Sequence, residues 1–114
     1  MRSPSARKNP NAVRGSRTGR PIMALLDLLG RRWSLRIIWE LRGGALTSRE
    51  LRKACDDASP TVIQQRLSEL RDAGFVAVRD GGGYELTALA TELSERFMPL
   101  HDFAEEWSRR RPKS

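Results

Sequence analysis

The residues from Thr47 to Gly74, TSRELRKACDDASPTVIQQRLSELRDAG, constrain the fold of this chain more than any other stretch. They read as two short helices joined by a tight polar turn. Thr47 is placed to cap the first helix, and Glu50 three residues on completes a capping box. Leu51 and Ala54, with Cys55 beside them, give that helix an apolar side. Asp56-Asp57-Ala58 ends it, because Asp side chains compete for backbone N–H groups and favour turns. Ser59-Pro60 then restarts the helix, with a hydroxyl at the N-cap and a proline at the first helical position, where its missing N–H costs nothing. Ile63, Leu67 and Leu70 recur at helical spacing and face inward. Thr61, Gln65 and Ser68 fall on the opposite face, with Gln64 at its edge, and Gly74 closes the helix where left-handed backbone is wanted. Helix, turn and helix with a small polar outer face is the layout of a DNA-reading helix-turn-helix. Gln can make paired hydrogen bonds to the major-groove edge of adenine, and Ser or Thr can reach either base class. The competing reading is a solvated face on an ordinary helix, and the flanking segments bear on the choice.

Before this unit, Pro21 opens a helix in which Ile22, Leu25, Leu26 and Leu29 share a stripe and Gly30 closes the segment. Met23, Ala24 and Leu28 widen the apolar surface beyond one stripe, and a helix apolar nearly all round is buried on more than one side. In a chain this small the second side points to another subunit. Arg31–Arg42 reads as a second helix, with Trp33, Ile37 and Leu41 on one stripe, Ile38 beside it and Trp39 off it. Gly43-Gly44 breaks that helix, leaving Ala45-Leu46 room for a short strand that pairs with a later hairpin.

After the unit, Phe75, Val76 and Val78 give a strand, Asp80-Gly81-Gly82-Gly83 a turn and Tyr84-Glu85-Leu86 a return strand. A hairpin directly after a recognition helix is the wing of a winged helix, and Arg79 at its base is placed to reach phosphate or an adjacent minor groove. Thr87 caps a last helical region with Leu89, Leu93 and Phe97 at core spacing, which Pro99 should kink or split. Leu100, Phe103, Ala104 and Trp107 then form a second apolar stripe. On a terminal segment this stripe is expected to be a subunit contact, with packing back onto its own domain as the competing reading.

The 114 residues carry a net charge of +7, unevenly placed. Residues 1–20 hold Arg2, Arg7, Lys8, Arg14, Arg17 and Arg20 without an acid, and Arg109, Arg110, Arg111 and Lys113 crowd the other end. The body between is therefore slightly acidic, and its attraction for phosphate must come from local clusters. Residues 1–20, rich in Ser, Pro, Gly and Asn, are expected to be a disordered basic arm. Residues 21–108 are expected to form one winged helix-turn-helix domain, mainly α with a small β-hairpin wing and helical dimerisation segments at both ends. Residues 109–114 are expected to be a basic tail. One cysteine excludes an intramolecular disulfide and fits a reducing compartment. No apolar run approaches the roughly 20 residues of a spanning helix, and the Ile22–Leu29 segment, interrupted by Asp27, does not read as a signal peptide.

Chemistry for catalysis is thin. His101 is the only histidine, Cys55 sits on an apolar side without an obvious base, and no nucleophile, base and oxyanion site assemble, so a non-enzyme without cofactor or metal is expected. Arg66, near the core edge, suits an intramolecular salt bridge better than a phosphate contact.

From about Arg20 to Trp107 the chain resembles the HxlR-type winged helix-turn-helix transcriptional regulators of bacteria. The resemblance rests on GRRWSLRIIWELRGG leading into REL, then SPTVIQQRLSELRDAGFV, then YELT and the tryptophan near the end. It implies a cytoplasmic homodimer on double-stranded operator DNA, held together by its N- and C-terminal helices. The interface would then use Ile22, Leu25, Leu26, Leu29, Phe103 and Trp107. By position it implies that Ser59, Thr61, Gln64, Gln65 and Ser68 meet the major groove, with Arg79 on the wing. The chain also departs from the family pattern. Arg20 stands where many members carry a cysteine before the helix-opening proline, so thiol sensing is not inherited. Ser48 replaces a usual aromatic residue, Ala90 stands where glycine is common, and the wing is short. Two alternatives stay open: a winged helix serving as a protein-interaction module, and non-specific nucleic-acid binding through the basic tails. A small-molecule effector between a dimer's helices also stays open, without a residue pattern to identify it.

Overall fold

The computed structural model of this chain describes residues 19–112. The expected basic arm therefore lies outside the described residues, apart from Gly19 and Arg20. The helices are α1 (Pro21–Leu29), α2 (Ser34–Leu41), α3 (Ser48–Ala54), α4 (Pro60–Asp72) and α5 (Ala88–Arg110). Between α4 and α5, β1 (Val76–Val78) and β2 (Tyr84–Leu86) pair antiparallel, with Val76 opposite Leu86 and Val78 opposite Tyr84. Leu46 adds a single bridge to Tyr84, with both N–H···O bonds made, at 3.0 and 2.7 Å. The short strand expected at Ala45-Leu46 is this one bridge.

Local chemistry sets the start of each helix in the central unit. Thr47 Oγ1 accepts from the Glu50 N–H at 3.1 Å, and Glu50 Oε1 accepts from the Thr47 N–H at 2.8 Å, which completes the capping box. Ser59 Oγ accepts from the Val62 N–H at 3.2 Å, with Pro60 at the first helical position. Between the two helices, Asp56 and Asp57 are both left-handed, with φ of 54° and 59°. Asp tolerates this region better than most residues. The turn is closed by the Asp57 N–H on the Arg52 carbonyl at 2.7 Å and by Arg52 Nε donating to the Ala58 carbonyl at 2.9 Å. Gly74, with φ of 88°, follows α4 in the left-handed region, as the sequence leads one to expect.

The core gathers Ile37, Ile38 and Leu41 from α2, Leu51 and Cys55 from α3 and its end, and Ile63, Leu67 and Leu70 from α4. Phe75, Val76 and Ala90 close it from the wing and α5. Ser34 is fully buried among these apolar groups, which nothing in its sequence context foretells. Trp39 is half-buried and fastens α2 to α5. Its ring stacks on His101 with 5.2 Å between centroids, and the Arg42 guanidinium lies 3.6 Å from the ring centre.

Four details differ from expectation. The second helix begins at Ser34 rather than Arg31, and Trp33 is a left-handed N-cap with φ of 77° instead of a member of the helical stripe. The preceding residues are drawn into tertiary bonds: Arg31 reaches Asp27 and Glu69, and the Arg32 carbonyl accepts from Arg66. Pro99 does not split the last helix, which runs unbroken from Ala88 to Arg110. One proline removes a single N–H, and both Pro99 and Glu95, whose carbonyl loses that donor, are exposed to water. That helix also continues past residue 108, so Arg109 and Arg110 are helical rather than part of a tail; both pair with Glu106, and cations suit a helix C-terminus. Finally, Leu29 is only 6 % exposed and belongs to the core of its own chain, which removes it from the expected interface set.

Thr87 joins the wing to the helix-turn-helix unit. Its Oγ1 donates to the Gly74 carbonyl at 2.6 Å and accepts from the Ala90 N–H at 3.2 Å, while its own N–H donates to the Phe75 carbonyl at 3.1 Å. Thr87→Val keeps the shape and removes both side-chain bonds, and it is expected to cost about 1–2 kcal/mol. A lower urea midpoint with unchanged slope is the expected signature.

Candidate nucleic-acid interface

Helix α4 presents two different faces. Ile63, Leu67 and Leu70 are buried, which turns Thr61, Gln64, Gln65 and Ser68 outward; all four are exposed. Their side chains have no hydrogen-bond partner among the described residues, so donors and acceptors remain available to an outside ligand. Ser59, also exposed, is committed in part: its oxygen caps the helix, although its O–H can still donate. A row of unspent amide and hydroxyl groups on a rigid helix is suited to reading base edges.

The wing lies next in the chain. Arg79 is exposed at its base, and its N–H donates to the Gly83 carbonyl at 2.9 Å while its carbonyl accepts from the Gly82 N–H at 3.0 Å. Gly81, Gly82 and Gly83 all have positive φ, of 89°, 111° and 92°. A Cβ on Gly83 would sit 3.2 Å from the Leu46 carbonyl oxygen. The three glycines therefore meet the demands of a tight turn against the Leu46 bridge rather than forming a phosphate cradle. Arg79 has no ion-pair partner among the described residues, and neither do Arg32, Arg49 and Lys53, which are exposed. The i, i+4 spacing of Arg49 and Lys53 along α3 was the available sequence signal for this second cationic edge.

Arg66 behaves as its position suggests. Its Nη1 donates to Glu69 Oε1 at 2.8 Å and its Nε to the Arg32 carbonyl at 2.9 Å, so its charge is spent inside the protein. Arg31 is held more firmly still. Burial, the largest single influence, works against its charge, yet hydrogen bonds and charge from Asp27 and Glu69 outweigh this and raise its pKa.

The expected subunit contacts divide in two. Ile22, Leu26, Phe103 and Trp107 are each more than half exposed, and Leu25 is half-buried against the core. A groove of about 420 Å³ runs between α1 and α5, lined by Ile22, Leu25 and Leu26 on one side and Leu89 and Leu100 on the other. Within one chain this apolar surface is uncovered. No group of three or more His, Cys, Asp or Glu among the described residues is placed to hold a metal ion, and no described helix is long and apolar enough to cross a membrane.

Cys55 is fully buried, and burial pushes its thiol above the ordinary value; Arg36 opposes the shift, while Glu40 and Asp56 reinforce it. Its contribution to stability is intact below the ordinary thiol pKa and fades as pH rises through the folded value, since only the unfolded chain ionises freely. In native protein at pH 8, Cys55 is expected to react with a chromogenic disulfide reagent orders of magnitude more slowly than in urea. Equal rates would contradict the buried placement.

Comparison with known proteins places the chain. The profile of the HxlR-like helix-turn-helix family matches residues 28–112. Among solved structures, the quinone-bound YodB of B. subtilis is 28 % identical, with a TM-score of 0.70 over 76 % of this chain and 98 % of its own. A candidate HxlR family transcriptional factor from Thermoplasma volcanium is also 28 % identical, with a TM-score of 0.68 over 79 % of this chain and 86 % of its own. A MarR-family protein from Enterococcus faecalis, 22 % identical with a TM-score of 0.68 over 84 % of this chain and 96 % of its own, shares the fold. Comparison with curated protein sequences gives no significant match.

Proposed function

Because the chain belongs to the HxlR-like helix-turn-helix family, we propose that it is a transcriptional regulator that reads operator DNA as a homodimer. The observation that carries this reading is the outward face of α4, where Thr61, Gln64, Gln65 and Ser68 stand exposed with their hydrogen-bonding groups unspent. In the complex these side chains, with Ser59 at the helix start, enter the major groove. Arg79 on the wing, together with Arg49 and Lys53 on α3, contacts the phosphate backbone and fixes the register. The apolar faces of α1 and α5, through Ile22, Leu25, Leu26, Phe103 and Trp107, pack against a second copy. Two recognition helices then face half-sites about one helical turn apart on a near-palindromic operator. In this reading the protein works in the cytoplasm as a DNA binder rather than as an enzyme.

YodB has been solved with a quinone bound, and a small-molecule effector in this chain would find the α1–α5 groove as one apolar site. Sensing through a cysteine is not part of the proposal: Arg20 precedes Pro21, and Cys55 is sealed in the core.

Selection of binding sites from random duplexes with the full chain, followed by fluorescence anisotropy at two salt concentrations, tests the proposal. A defined sequence should emerge and keep its advantage over a shuffled duplex at the higher salt. Gln64→Ala and Gln65→Ala should each cost about 1–3 kcal/mol on that sequence and almost nothing on the shuffled one. Arg79→Ala should weaken both and lower the salt slope by about one. Equal binding to all duplexes, lost as salt rises, would favour non-specific attraction by the basic ends; no binding at all would favour a protein-interaction module.

A further inference from the structure

Four charged side chains tie the apolar helix α1 to the recognition helix α4. Arg31 Nη2 donates to Asp27 Oδ2 at 2.9 Å, one turn back in the chain. Its other terminal nitrogen, Nη1, lies 3.0 Å from Glu69 Oε2 on α4. The second oxygen of Glu69 accepts from Arg66 Nη1 at 2.8 Å, and Arg66 Nε donates to the Arg32 carbonyl at 2.9 Å. Helix α4 is thus pinned to the turn before α2 at two points. The pins sit beside the reading face, because Arg66 follows Gln65 and Glu69 follows Ser68 in the chain.

We infer that Asp27, Arg31, Glu69 and Arg66 form a positioning relay that sets the rotation of α4 against α1, and through α1 the pose of one recognition helix relative to the other. The inference rests on the proposed DNA reading. Its physical basis is a division of labour. The stripe of Ile63, Leu67 and Leu70 holds α4 against the core and sets which side faces outward, but apolar burial is non-directional and fixes small rotations about the helix axis less sharply. Charge-assisted hydrogen bonds are directional, and here they grip both α4 residues from a single turn. Base contacts need their side chains placed within about 0.5 Å, so the angular restraint falls where it is needed. The side chains of Arg31 and Glu69 are 32 % and 20 % exposed, so solvent partly screens the ion pair and its contribution to stability is modest. With their hydrogen bonds spent inside the protein, the four act on the bases only through Gln64, Gln65 and Ser68.

Glu69→Gln gives a test in which the direction of the effect decides. It leaves Arg31 with Asp27 and Arg66 with the Arg32 carbonyl, so neither cation is orphaned and the thermal midpoint should barely move. Removing an acid from a DNA-binding surface strengthens binding if bulk electrostatics alone matters. The relay predicts the reverse on the selected operator, a loss of about tenfold, while affinity for the shuffled duplex stays level or rises. Asp27→Asn, on the far side of Arg31, should act in the same direction, and the double variant should lose less than the product of the single losses. Tighter or unchanged operator binding by Glu69→Gln, or strictly multiplicative losses, would overturn the relay. Lack of sequence preference in the unaltered protein would overturn the DNA reading itself and the relay with it.

Discussion

Burial of one stripe on α4 governs most of what this molecule can do. Ile63, Leu67 and Leu70 pack against Leu51 of α3 and Ile37 and Leu41 of α2 in a single cluster. Each such side chain, fully buried, contributes on the order of 1.5–3 kcal/mol, and together they fix which side of α4 faces water. A helix has only one opposite face, so Thr61, Gln65 and Ser68 are turned outward by the same contacts that build the core. Sheet content is minimal, and the wing owes its place to the Leu46 bridge and the Thr87 clip rather than to an extended ladder.

What was legible in the sequence was the local chemistry. Thr47 with Glu50, Ser59 with Pro60, and Gly74 are signals whose meaning depends on neighbours three or four residues away, and each stands where those neighbours require. The wing was legible for the same reason, since apolar strands flank a glycine turn. The Arg31–Trp33 turn was not, because Glu69 holds the Arg31 side chain and Arg66 the Arg32 carbonyl, both more than thirty residues distant. A pattern of apolar spacing cannot anticipate partners so far along the chain, and Trp33 looked like a helix residue because its ring does pack on the core. Pro99 was misleading in another way: the cost of one lost N–H is local, and with Pro99 and Glu95 both exposed to water the helix runs on through all 23 residues. In the candidate site, the outward face followed directly from the inward one. The free cations at Arg49 and Lys53 had only their i, i+4 spacing to set them apart from the other arginines and lysines of a basic chain.

Charge placement fits the same architecture. The chain is basic overall, yet its folded body is not, and several body arginines are spent on internal carboxylates: Arg31 on Asp27 and Glu69, Arg36 on Glu40, Arg66 on Glu69. The cations left without an acid partner among the described residues include Arg32, Arg49, Lys53 and Arg79. Arg49 and Lys53 stand on the first helix of the helix-turn-helix, and Arg79 stands on its wing. Part of the body's attraction for phosphate therefore lies on the helix-turn-helix and the wing, and in the proposed reading sequence specificity rests on the α4 face. At the other extreme of polarity, the uncovered surface on α1 and α5 calls for a partner, since exposed apolar patches of this kind mark association surfaces. In the proposed dimer a second copy of the chain would cover that surface and match the two-fold geometry of the proposed operator.

A hydroxyl-radical footprint of the full chain on its selected operator, with the mass of the complex taken by sedimentation, tests the central claim most directly. Two chains per duplex, with two protected patches on one face of the DNA about ten base pairs apart, are the result this account predicts. A single asymmetric patch under one chain would contradict it.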